Sequence, residues 1–106
     1  MIFNYHTGNV TFFDTDQEYF EKKFISLKKL FPTDPQNEKN VLVEIRLKKT
    51  KQASGYRFEA KCNIESPTYG IFQGTANAEN IKKCADVLKD VLKAQILKAH
   101  ERHTEK

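Results

Sequence analysis

Two cysteines, four glycines and three histidines are all that 106 residues supply of the types most used for disulfides, phosphate loops and metal sites. Cys62 and Cys84 each sit inside an apolar pattern, not a spaced framework. Free buried thiols are therefore expected, rather than a disulfide. The glycines are scattered, so no Gly-rich loop is present to cradle a phosphate. His100 and His103 lie close together without a third ligand nearby in sequence, and His6 stands alone. That falls short of the roughly four ligands of a structural metal site. No nucleophile, base and orienting group form a visible set. Neither an enzyme nor a cofactor is expected. No apolar run approaches the roughly 20 residues of a membrane span. The opening Met1-Ile2-Phe3-Asn4-Tyr5-His6 lacks the basic start and long apolar core of a signal peptide. The chain reads as cytoplasmic, with no membrane partner.

What is present is charge and a core. Charged residues make up 30% of the chain, and the net charge is +4 with a pI near 9.1. So mild a basic excess permits nucleic-acid binding and equally suits a solvated surface of mixed sign. An apolar fraction of 39% with eight Phe is enough for the single core of one domain.

Periodicity orders the elements. Ile2 to His6 reads as a short strand, Thr7-Gly8-Asn9 as a turn, and Val10 to Phe13 as a strand extended or re-entered. Thr15 with Glu18 forms a candidate capping box for a helix running to about Phe31. Phe20, Phe24, Leu27 and Phe31 make its apolar stripe. Acids stand at its start and Lys22, Lys23, Lys28 and Lys29 toward its end, an order that suits the helix dipole. Pro32 to Asn37 breaks the helix and begins a loop. Val41, Val43, Ile45 and Leu47 alternate with Glu44, Arg46 and Lys48, which predicts a strand with one wet face. Lys49 to Gly55 is expected to turn the chain. Tyr56, Phe58, Ala60, Cys62 and Ile64 then alternate as core residues against a polar face, and Ser66-Pro67-Thr68 turns again. Phe72, Gly74 and Ala76 share one face of the next strand, and Asn77 to Asn80 forms a polar turn. A final helix runs from about Ile81 toward His100, docked through Ile81, Ala85, Leu88, Leu92, Ile96 and Ala99. The expected fold is α+β, in the order β-α-β-β-β-α, with both helices on one face of a single sheet. Residues 1–100 form the domain and 101–106 a frayed tail.

The element order, the run Lys22-Lys23-Phe24-Ile25-Ser26-Leu27-Lys28-Lys29-Leu30, and the stretch from Phe72-Gln73-Gly74-Thr75-Ala76 through Gln95 together resemble one family. It is the ribosome hibernation-promoting factors, also called ribosome-associated inhibitors or ribosomal subunit interface proteins, in their short form. The resemblance implies a domain similar to double-stranded RNA-binding folds. Its partner would be the small ribosomal subunit and its rRNA, in the channel used by messenger and transfer RNA, where it blocks translation by occupancy. It implies phosphate contacts from basic residues of the two helices: Lys23, Lys29, Lys98 and Arg102 stand at matching positions, and Lys22, Lys89 and Lys93 are added as candidates, the last two on the flank opposite the family's basic one. Arg46, Lys48, Lys49 and Lys82 are further candidates, because a basic hairpin tip and a lysine stripe at helical spacing suit a phosphate backbone. The chain departs from the family's pattern at Ser26, Val91 and Ala94, where basic residues are usual, and at Asn80-Ile81-Lys82, where an acid and an aromatic are usual. Val87, Val91 and Ala94 thus form an apolar flank, with Leu97 on the wet side of the helix, and a homodimer or protein-interaction module through that flank is the alternative reading.

Overall fold

The computed structural model describes residues 1–31, 40–53 and 55–104. The strand β1 (Ile2–His6) is followed by α1 (Asp14–Ile25), a single 3-10 turn (Lys28–Leu30), β2 (Leu42–Gln52), β3 (Gly55–Ser66), β4 (Gly70–Ala78) and α2 (Ile81–Thr104). The four strands form one sheet in the order β1-β2-β3-β4. β1 and β2 are parallel, joined over α1, while β2, β3 and β4 run antiparallel. The element order is the one the periodicity predicts, and the fold is α+β.

Both helices cover the same face of the sheet. Val43, Ile45, Ala60, Ile64, Phe20, Phe24, Leu88, Leu92 and Ile96 are wholly buried between the layers. The α1 stripe survives beyond the helix itself, since Leu27 and Phe31 are buried too. Here the helix is shorter than expected. The Ser26 hydroxyl donates to the Lys23 carbonyl at 2.6 Å, and the chain tightens into the 3-10 turn that keeps Leu30 inside. Val10 to Phe13 forms no strand; the Val10 N–H closes a turn on the Thr7 carbonyl instead. The loop expected over Pro32 to Asn37 lies outside the described residues.

The start of α1 is also displaced from the expected Thr15–Glu18 box. Phe13 holds the N-cap position, and its N–H donates to Asp16 Oδ2 at 3.1 Å. A phenylalanine supplies no side-chain acceptor to the first free N–H groups, a role that Ser, Thr, Asp or Asn fills. The ring itself is 62% exposed. Phe13→Ser should therefore stabilise the fold by about 1 kcal/mol. Thermal unfolding should read this as a rise of roughly 4–8 °C.

The β2–β3 hairpin is longer than its sequence suggests. Lys49, Thr50 and Lys51 pair with Phe58, Arg57 and Tyr56, and Gln52 pairs with Gly55. Gly55 takes a φ of 121°, a backbone conformation that glycine adopts without steric cost. Tyr56, expected in the core, is instead 55% exposed. The β3–β4 ladder ends at the pair Phe58–Ala78, so β4 does not reach Tyr56. β4 continues through Asn77 and Ala78, which shortens the expected polar turn to Glu79 and Asn80. Asn80 then caps α2, accepting from the Lys83 N–H at 2.8 Å. That helix continues past His100 to Thr104, and His100 Nδ1 lies 3.2 Å from the Tyr69 hydroxyl. This contact anchors the helix at His100.

Cys62 and Cys84 are free and buried. Burial pushes the Cys62 thiol up to about 12 and raises that of Cys84 as well, which lowers the thiolate fraction of both at neutral pH.

Candidate nucleic-acid interface

The phase of α2 decides where its charges go. Ile81, Ala85, Leu88, Leu92 and Ile96 point down to the sheet. One flank then carries Lys82, Asp86, Lys89 and Lys93, at steps of four, three and four residues, so these side chains stack along a single line. That line faces α1. The Tyr19 hydroxyl donates to Asp86 Oδ1 at 2.7 Å, and Lys23 Nζ lies 3.3 Å from the same oxygen. The Lys82 ammonium lies 5.9 Å from the Tyr19 ring centroid, and that of Lys23 5.5 Å. The seam between the helices is thus a basic ridge built from both, with Lys22 exposed on the outer side of α1 beside it.

Asp86 is the acid of this ridge that meets α1, and Asp90 stands three residues before Lys93 beside the line. Its carboxyl is held below the usual carboxylate range, first by the Tyr19 hydroxyl and then by Lys23. The Lys23 ammonium is held above its usual range by Asp86, and the Tyr19 hydroxyl is raised by the bond it donates to Asp86. The depressed carboxyl adds stability that is complete above about pH 4 and lost as acid titrates it below that. The raised lysine adds stability that is complete below about pH 10 and lost as alkali deprotonates it. Between those limits the three groups stay locked. Neither Tyr19 nor Asp86 stands out in the sequence; Tyr19 carries only the signal of an aromatic four residues before Lys23.

The other expected phosphate ligands are divided among separate surfaces. Lys29 is exposed on the 3-10 turn after α1. Lys98 and Arg102 sit near the end of α2 on its β4 side, lining a shallow cleft with Thr68, Tyr69, Phe72 and Gln95. The run Arg46, Lys48 and Lys49 is split by the strand pleat. Arg46 and Lys48 project from the open face of the sheet, where Arg46 lies opposite Lys61 and near Glu44. Lys49 projects to the helix side and rests against Tyr56. No single basic surface gathers them.

The apolar flank of α2 lies over β4. Val87 is half-buried against the core, and Val91 packs where Gly74 leaves room; a Cβ on Gly74 would come within 3.2 Å of Val91 Cγ1. Gln95 on the same side donates to the Gln73 carbonyl at 2.8 Å, covering one acceptor of the edge strand. Ala94 and Leu97 are exposed. What is left open for a partner is a short strip rather than a face. Among the described residues, no group of three or more His, Cys, Asp or Glu could hold a metal ion, and no helix is long and apolar enough to cross a membrane.

Three comparisons with known proteins bear on this arrangement. The family model described as "Sigma 54 modulation protein / S30EA ribosomal protein" matches residues 3–104. No curated protein sequence matches the chain. Among solved structures, it is similar to the N-terminal domain of Protein Y from Thermus thermophilus, with a TM-score of 0.71 and 17% identity. The match covers 92% of this chain and 98% of that one. At that identity the likeness establishes the fold and nothing finer.

Proposed function

The chain belongs to the sigma 54 modulation protein/S30EA ribosomal protein family, a family of ribosome-associated hibernation and modulation factors, and on that premise we propose that it is a translation inhibitor of the small ribosomal subunit. It binds rRNA through its helix face and stops translation by occupying the channel for messenger and transfer RNA. It acts in the cytoplasm, where ribosomes are, and without catalysis.

The observation that carries this reading is the ridge along the α1–α2 seam. Lys23 and Lys82 meet around Tyr19, and Lys89 and Lys93 extend the same line for three more turns of α2. Lysines spaced along a helix can follow a row of phosphates, neutralising them and releasing counterions. A-form RNA is read through shape and backbone more than through base edges, so a ridge without sequence-reading side chains suffices. Lys22 stands beside this ridge, while Lys29 on the 3-10 turn and Lys98 and Arg102 on the β4 side of α2 serve as outlying contacts on separate surfaces.

The test is sedimentation with purified small subunits and whole ribosomes at low and moderate salt. Co-sedimentation that weakens steeply with salt is expected, together with inhibition of translation in a purified system. Absence from the ribosomal pellet at both salt concentrations contradicts the proposal.

A variant of the ridge itself gives a second check. Asp86→Asn keeps an acceptor for Tyr19 but removes the acid from the line of lysines. A unit charge about 4 Å away in water is worth about 1 kcal/mol. RNA affinity of the variant, read by fluorescence anisotropy at fixed salt, should therefore rise about fivefold.

A further inference from the structure

The end of the molecule where both helices begin carries a second surface, distinct from the seam. Two large rings stand in solvent there, Phe13 at 62% and Tyr56 at 55% exposure. The Lys49 ammonium lies 4.2 Å from the Tyr56 ring centroid and 6.0 Å from that of Phe58. Phe13, Lys49, Phe58 and Lys82 line one open cleft. Asp16 also borders it, with its carboxylate turned to the Phe13 N–H.

Neither exposed ring is packed into the core. Phe13 occupies a helix cap that it cannot fill, and Tyr56 sits beyond the last rung of β4. Positions where a local rule is broken without a structural gain are where function is expected. Exposed aromatic faces interleaved with lysines meet the needs of an unpaired nucleic-acid strand, whose bases stack while its phosphates pair with cations. The seam lacks such rings, since Tyr19 is half-buried and held by Asp86.

We propose that this cleft, with the Tyr56 ring beside it, binds unpaired nucleotides of an RNA strand, with bases stacked on Phe13 and on the solvent face of Tyr56 and the adjoining phosphates held by Lys49 and Lys82. The seam takes the backbone of paired RNA, and Lys82 joins the two surfaces. The molecule would then favour a place where a duplex opens into a single strand. The proposal deepens the rRNA-binding function argued above and rests on it for the identity of the RNA.

Fluorescence anisotropy of the full chain tests it, with two probes of equal length. One is 5′-fluorescein hexauridylate, and the other is an abasic ribose-phosphate hexamer carrying the same dye. Phe13→Ser and Tyr56→Ser should each weaken hexauridylate binding at least about fivefold, the low end of one base–aromatic stack. Binding of the abasic hexamer should be weaker from the outset and unchanged by either variant. Thermal unfolding, expected to shift upward for Phe13→Ser, separates its loss of binding from a loss of fold; should Tyr56→Ser fail to fold, Phe13→Ser decides alone. A smaller loss in a folded ring variant, or equal binding of the two probes, overturns the proposal. A protein occupant of the cleft gives that overturning result. Ribosome sedimentation separates this inference from the function above. Ribosome binding without ring-dependent hexauridylate binding overturns the cleft alone, and the converse overturns the ribosomal reading alone.

Discussion

Replacing Lys82, Lys89 and Lys93 together by Gln is expected to weaken binding to small subunits by about 100- to 1,000-fold. A hydrogen bond to a charged group contributes roughly 1.5–3 kcal/mol, so three at the low end reach the upper figure, and any lysine that shares its phosphate with solvent brings the effect toward the lower one. The variant should keep its fold, because these side chains lie on the wet flank of α2 and Leu88, Leu92 and Ile96 do the docking. Salt dependence supplies an independent reading. Removing one lysine–phosphate pairing should lower the slope of log affinity against log salt by about 0.7–0.9. A paired control, Arg46→Gln with Lys48→Gln, alters the open face of the sheet and should change binding less than twofold. Sedimentation of both variants across a salt series measures all of this. A result in which the control weakens as much as the seam variant places the RNA on the wrong side of the molecule.

Phe20→Ala should cost about 3–5 kcal/mol of folding stability. Phe20 is wholly buried, and its ring centroid lies 6.5 Å from that of Tyr5, 6.0 Å from Phe12 and 6.1 Å from Phe24. Truncation removes both the transferred apolar surface and the ring-to-ring packing of that cluster, and the rings around it cannot all close on the void. A domain of this size is stable by roughly 5–15 kcal/mol, so the change takes a large share of the total. Denaturant titration should show the midpoint falling sharply with the slope unchanged. Phe20→Leu, which refills much of the volume, should lose less than half as much.

Core positions are legible because periodicity follows burial directly. Phe20, Phe24, Leu27 and Phe31 follow from helical spacing, and Val41, Val43, Ile45 and Leu47 from alternation, and all eight are buried. Tyr56 fits the same alternation and is nevertheless exposed, because the pattern records which way a side chain points, not whether a neighbouring strand reaches it. Phe13 escapes the sequence pattern for a related reason. Its role as an N-cap follows from where α1 begins, and the Thr15–Glu18 spacing offers a better-formed but unused start. The candidate site is legible only in part. Helical phase places Lys82, Lys89 and Lys93 on one line. That the line meets Lys23 depends on which flank of α2 turns toward α1, and this is a matter of tertiary packing. The same packing brings Asp86 against Lys23, an ion pair 63 positions apart in sequence (86 − 23) that no local pattern announces. Conversely, the basic run from Arg46 to Lys49 looks dense in sequence, yet the pleat sends its members to opposite faces.

The central claim is that the seam between α1 and α2 is the surface laid against ribosomal RNA. Lysine acetylation of the protein, free and bound to small subunits, read residue by residue by mass spectrometry, tests it most directly. The account predicts strong protection of Lys82, Lys89 and Lys93 on binding, with Lys48 and Lys61 on the open sheet face as reactive as in the free protein. Protection of Lys48 and Lys61 while the seam lysines stay reactive would contradict it.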